Sequence, residues 1–484
     1  MQRKFITNIS LLLFLNFLVK PFWIFGIDRT VQNVVGAGEY GWYSSLLSFT
    51  FLFNILLDFG ITNFNNKNIA QNNHLLNKHF SGIVVFKLIL AAVYVLVTIA
   101  VGLIWGYDTR QMYFILVLGI NQVLLSFILY LRSNISGLLQ FKTDSFISVL
   151  DRLLMIGICS ILLWGGITKQ SFRIEWFVYS QTAAYAITAL IAFIIVMKKA
   201  AFKRLKWNFT FFILIIKQSY PFAVLVLLMT FYNRIDSVML ERMLDHSIGA
   251  VQSGIYASAY RLLDAINMIA VLFAVILLPM FAKLIKDKLP VVNLVKLSFT
   301  LLFTVSIILS VSLFFYNHEF MDLLYVRHVD ESAAVFKLLI LGFIPISTTY
   351  IFGTLLTANG SLKWLNIIAF SGMIINISLN YFLIPRNMAV GSAGASLITQ
   401  TITAILQVIM VQRLFRFSVN RGYLVSLLLF MAGSILMAFL LYHSGIHWKT
   451  GFLISLFASF LLAIGLRLFN FRALLALVKS NREM

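Results

Sequence analysis

Residues 36–45 read Gly-Ala-Gly-Glu-Tyr-Gly-Trp-Tyr-Ser-Ser, and residues 249–258 read Gly-Ala-Val-Gln-Ser-Gly-Ile-Tyr-Ala-Ser. Gly, Ala, Gly, Tyr and Ser recur at a constant offset of 213 residues, and each copy opens a long apolar run. Small residues let helix backbones approach closely within a bilayer, and aromatic residues suit the interfacial belt. The doubled signal therefore predicts a duplicated helical bundle in which both copies begin the second helix of a six-helix unit. Asn54 maps onto Asn267 at the same offset.

Composition sets the environment. Of 484 residues, 61% are hydrophobic and 11% charged, whereas soluble domains are about 45–50% apolar and about 25% charged. There are too few charges to coat a water-facing surface, so the chain is expected to be an integral membrane protein. Continuous apolar runs such as "LIAFIIV" and "VLFAVILL" read as helices; a β-barrel would show short alternating segments. The lone Cys159 lies mid-run and reads as apolar filler. The first run is too long for a signal-peptide core and has no cleavage site, so it is expected to stay as a helix.

A span needs roughly 20 apolar residues. On that basis fourteen helices are expected near 5–27, 41–64, 80–105, 112–138, 145–167, 174–197, 211–233, 250–282, 292–316, 333–357, 362–384, 388–412, 422–443 and 450–470. The net charge of +21 is spread along the chain rather than gathered in a patch. It reads as topology, not as a nucleic-acid surface. With Arg3 and Lys4 in the cytoplasm, the clusters Lys67/Lys78, Lys198/Lys199/Lys203/Arg204/Lys206, Lys283/Lys286/Lys288, Arg413/Arg416/Arg421 and Arg467/Arg472/Lys479/Arg482 also fall inside. Asp28, Asp236 and Glu241 are among the acids assigned to the opposite loops. An even number of spans places both termini in the cytoplasm.

The fourteen helices in a 6 + 6 + 2 order, the "GxYxxA"-like starts of helices two and eight, and "NRIDSVML" (Asn233–Leu240) ending helix seven resemble a bacterial polysaccharide flippase. That family moves lipid-linked O-antigen or capsule repeat units and belongs to the superfamily that also holds multidrug exporters. The resemblance covers essentially the whole chain. It implies two six-helix lobes, 1–205 and 206–417, facing a central cavity, with 418–484 as two added helices and a tail. It also implies an inner-membrane location and alternating access. The expected partners are an undecaprenyl pyrophosphate-linked oligosaccharide, membrane lipids, a proton or sodium coupling ion, and the polysaccharide polymerase machinery, with no nucleic acid and no cofactor.

Ionisable groups inside spans cost a few kcal/mol each at mid-bilayer and usually face a cavity or a partner. Singled out within the expected spans are seven cations, Lys20, Lys87, Arg132, Arg152, Lys217, Arg261 and Lys337, and three acids, Asp58, Asp151 and Asp264. Lys87, Lys217 and Lys337 lie near helix ends, where long side chains snorkel to headgroups. Lys20, Arg132, Arg152 and Arg261 are left as candidate anion ligands. Arg132 is expected to pair with Asp151, and Arg261 with Asp264 at i,i+3. Asp58, Asp151 and Asp264 are candidates for ion coupling or pairing, and Asn54 and Asn267 for polar lining.

Two rival classes follow. A multidrug antiporter on the same fold would prefer an acidic cavity and a carboxylate in helix one, where the expected 5–27 span holds Lys20 and no acid. An enzyme would need positioned acids or bases, and none of the H-E-x-x-H, G-x-S-x-G or nucleotide-binding glycine patterns occurs. His443 and His447, four apart around Gly445, are poorly placed for a metal.

Overall fold

The computed structural model describes residues 14–468 except 17, 63–64, 67–68, 70–73, 139, 167–170, 201–208 and 419. The basic residues Arg3, Lys4, Lys67, Lys203, Arg204, Lys206, Arg472, Lys479 and Arg482 lie outside the described residues. The protein is all-helical, as a bilayer demands: with no water to bond exposed amides, each segment must satisfy its own backbone.

Eleven helices among the described residues are long and apolar enough to span. The longest, Leu362–Phe415, is two helices merged across Met388, where φ is 50° and ψ −132°, three residues after Pro385. With that split and the two N-terminal helices the count is fourteen. We number them α1 (described over 14–16 and 18–35), α2 (Ala37–Leu52), α3 (Leu75–Ile104), α4 (Thr109–Gly137), α5 (Phe141–Trp164), α6 (Ile174–Met197) and α7 (Phe209–Met243). Then follow α8 (His246–Lys286), α9 (Val292–Phe315), α10 (Val329–Ala358), α11 (362–387), α12 (389–415), α13 (Arg421–His443) and α14 (Trp448–Gly465).

The first two helices differ from the expectation. α1 does not stop at residue 27. Pro21 is followed by a π-helical turn, Trp23–Asp28, and the helix runs on to Val35 before Gly36, at φ 86°, turns the chain into α2. "DRTVQNVV" contains no breaker, so nothing in residues 28–35 ends the helix. Asp28 is therefore a helix residue, 3% exposed, and not a loop acid. Asp236 and Glu241 are likewise buried within α7. α2 ends early at Leu52, gives way to a 3-10 turn over Asn54–Leu57, and passes Phe59 and Gly60 at positive φ.

By backbone packing the chain divides into two compact units, Met1–Gly254 and Ile255–Met484, with the division inside α8. In the first unit α7 lies along α2, and α4 along α6. In the second, α13 and α14 pack on α9 around Ile307, Val311, Leu427, Phe430 and Ala438.

The doubled glycine motif acquires a purpose here. Its two copies meet. A Cβ at Gly41 would lie 1.9 Å from the Ala250 carbonyl oxygen, and one at Gly254 would lie 2.0 Å from the Ala37 carbonyl oxygen. Gln32 Nε2 donates to the Gly254 carbonyl at 3.0 Å across the same crossing.

Candidate functional site: a cationic cluster in the first unit

α1 and α5 build the site. Asn16 Nδ2 donates to Ser148 Oγ at 3.0 Å, tying the two helices together. That places Lys20 within Coulombic range of Arg152, Asp151 and Arg132. No described side chain accepts a hydrogen bond from the Lys20 ammonium. Three cations, Lys20, Arg132 and Arg152, thus share this region with two carboxylates, Asp144 and Asp151, an excess of positive charge inside the spans that favours an anion.

The two arginines are not equivalent. Arg132 Nε donates to Asp144 Oδ1 at 2.8 Å and its Nη2 to Oδ2 at 3.4 Å, a fork-to-fork pair. The expected partner, Asp151, is thus not the one that takes the Arg132 fork. Asp144 stands in the first turn of α5, just across the short connection from the end of α4, so the chain brings it to Arg132 with little reach. Asp151 instead lies 3.7 Å from Nε of its neighbour Arg152.

Arg152 is held by aromatic faces. Its guanidinium carbon lies 5.6 Å from the Trp23 ring centroid and 5.9 Å from that of Tyr185, within the reach of a cation–π attraction. Trp23 is 7% and Tyr185 6% exposed, so both orient the guanidinium rather than offer a free face. Trp23 stacks on Phe177 at 5.7 Å, and Phe177 meets Tyr43 edge-on. Gln181 Nε2 donates to Tyr43 Oη at 2.6 Å. One packed wall from α1, α2 and α6 therefore supports the arginine.

Beside this wall, Tyr40 Oη donates to Asp28 Oδ2 at 2.8 Å. The sequence reading missed Asp28, Asp144, Trp23 and Tyr185 as site groups. Trp23 stands three residues from Lys20, a helical spacing that would have paired them. Asp28 would have been found by extending α1 to the first real breaker, Gly36.

The remaining predicted residues fall elsewhere. Lys87 does not snorkel. It is 5% exposed and bonds Asp58 Oδ1 at 2.5 Å, so Asp58 has a fixed partner. Lys217 and Lys337 are exposed, and the Lys337 ammonium lies 4.7 Å from the Phe314 ring centroid. Asn54 begins the 3-10 turn after α2. Arg261, Asp264 and Asn267 lie on α8 in the second unit, where Asn267 Oδ1 is buried with no hydrogen-bond partner among the described residues.

With this geometry in view, comparison with known proteins places the chain. Residues 7–285 match the family described as polysaccharide biosynthesis protein. The chain belongs to that family. A solved structure titled lipid II flippase MurJ, in an inward closed conformation, superposes with a TM-score of 0.74 at 13% identity, covering 96% of this chain and 100% of that one. An inward-facing multidrug resistance MATE transporter of the MOP superfamily superposes at 0.60 with 11% identity, covering 86% and 99%. At such identities the likeness is one of fold. No curated protein sequence matches. This polysaccharide biosynthesis protein thus carries the fold shared by a flippase and a drug exporter, and its own side chains must distinguish the two.

Proposed function

We propose that the protein flips an undecaprenyl pyrophosphate-linked oligosaccharide, an O-antigen or capsule repeat unit, across the bacterial inner membrane. Both termini are cytoplasmic in this reading. The observation that carries it is the Lys20 ammonium, without a described hydrogen-bond acceptor and within Coulombic range of the Arg152 guanidinium. A diphosphate offers several anionic oxygens. Arg152 presents a planar fork to two of them, and Lys20 a point charge to a third. Arg132, engaged by Asp144, positions the end of α4 and adds field rather than a ligand.

The transport cycle in this proposal is alternating access. The six-helix lobes 1–205 and 206–417 move, the helices of 418–484 are accessory, and the polyprenyl tail stays in lipid while the headgroup crosses. Arg261 is proposed as a further anion ligand, Asp264 as an ion-coupling or pairing group, and Asn267 as polar lining. Coupling by a proton or sodium ion, and association with the polymerase machinery, complete the proposal. The test is Lys20→Ala with Arg152→Ala in cells that display the glycan. Loss of surface glycan at normal protein level is the expected result; normal display in the double variant refutes the assignment.

A second reading, cation or drug antiport, rests on Asp28. The expectation that helix one lacks an internal acid is overturned, because α1 extends past it and buries it against Tyr40. Drug efflux from overexpressing cells, abolished by Asp28→Asn, would favour this reading.

A further inference from the structure

At the broken end of α2 the backbone leaves the helix in the 3-10 turn Asn54–Leu57, then passes through Asp58, Phe59 (φ 42°) and Gly60 (φ 78°). A break inside a bilayer strips carbonyls of their helical donors, and those groups must be satisfied by other means. Here α3 and α4 supply them. Lys87 Nζ donates to the Leu57 carbonyl at 2.9 Å, to Asp58 Oδ1 at 2.5 Å and to Ser126 Oγ at 3.0 Å. Ser126 Oγ in turn donates to the same Leu57 carbonyl at 3.2 Å. Asp58 also accepts from Thr62 Oγ1 at 2.5 Å and lies 3.3 Å from the Thr62 amide, four residues further on.

Three oxygens of three chemical kinds, a backbone carbonyl, a carboxylate and a hydroxyl, thus converge on one buried positive charge at an unwound helix. A hard monovalent cation calls for the same donor set. We infer that this cradle is a monovalent-cation site filled by the protein's own lysine: Lys87 is a tethered ammonium that closes the break in α2, and removing its side chain creates a site for sodium or a small alkylammonium ion. The consequence for Asp58 is direct. Its carboxylate is committed to a fixed internal cation, so it holds the bend in α2 and does not exchange a coupling ion with water.

The test does not depend on what the protein transports. Thermal unfolding of purified full-length protein is measured in detergent at equal ionic strength in sodium chloride, methylammonium chloride and N-methylglucamine chloride, whose cation is too bulky for the cradle. Lys87→Ala is expected to melt lower than wild type in N-methylglucamine and to gain at least about 2 °C in sodium or methylammonium, as site binding requires. Wild type and the double variant Lys87→Ala/Asp58→Asn are expected to melt alike in all three salts. A Lys87→Ala protein indifferent to the cation, or a double variant that responds equally, overturns the inference.

If Lys87→Ala does not accumulate, Asp58→Asn is compared with Asp58→Asn/Lys87→Met. The single variant strands a buried ammonium, so the double variant is expected to melt higher. The reverse order overturns the inference.

Discussion

Gly41 and Gly254 face each other backbone to backbone. The α-carbon of one sits where the side chain of any other residue on its partner would have to go. The two are the same position in the doubled motif, 213 residues apart. The repeated stretch is thus both a signal for helix starts and the surface along which α2 and the beginning of α8 cross. Without a hydrophobic force between helices in lipid, such close backbone packing is what drives their association.

Gly41→Ala and Gly254→Ala are each expected to destabilise the protein by about 2–3 kcal/mol, because their new methyl groups meet backbone that cannot yield. Gly38→Ala, whose Cβ would find only Val251 Cγ2 at 3.6 Å, is expected to be near neutral. Thermal unfolding in detergent separates the three, and equal melting temperatures would show that the crossing is loose.

The Arg132–Asp144 pair is buried enough that its partners depend on one another, with side-chain exposures of 22% and 11%. Removing either alone should cost about 3–5 kcal/mol, since an uncompensated charge is left behind. Arg132→Met/Asp144→Leu should recover most of that loss. Folded yield and melting temperature of the two singles and the double check it.

Arg152 and Lys20 should respond differently to conservative exchange. Arg152→Lys loses both the planar fork and the seat between Trp23 and Tyr185, so glycan display should fall at least about tenfold, which is about 1.4 kcal/mol. Lys20→Arg keeps a charge with no described acceptor to lose and should retain most function. Quantifying surface glycan against protein level reads both.

Tyr107, in the connection between α3 and α4, lies outside the spans. Burial, reinforced by Glu241 and opposed by Arg242, pushes its phenol well above the ordinary tyrosine value of 10.0. The folded state therefore keeps a proton that the unfolded state releases, and stability falls as pH rises above that ordinary value. Tyr107→Phe is expected to flatten this alkaline loss. Its hydroxyl makes no hydrogen bond among the described residues, so the exchange should cost little at neutral pH. Melting curves between neutral and strongly alkaline pH measure the slope.

Much of the architecture was legible because a bilayer imposes simple rules. Apolar runs of sufficient length gave the helices, and the split near 384–388 was placed where Pro385 and Met388 divide α11 from α12. The misreadings fell where length was used in place of punctuation. A nominal span length ends α1 at residue 27 although no breaker stands before Gly36, and this hides Asp28. An unbroken apolar run makes α2 one rod through Phe59 and Gly60, and this hides the bend that Lys87 serves. The position of Lys87 along α3 suggests a snorkelling side chain, but position along a helix says nothing about the direction a side chain faces.

The amino-acid sequence by itself determined the all-helical membrane class, the number of helices and the set of charges that would need a reason to be in lipid. Composition and run length suffice for that, because transfer from water to hydrocarbon depends on the segment and hardly on its neighbours. Only tertiary structure decided the pairings: Asp144 for Arg132, Asp58 for Lys87, and Trp23 and Tyr185 around Arg152. Those depend on the rotation of each helix about its own axis and on where a helix breaks. Both are set by side chains many residues away.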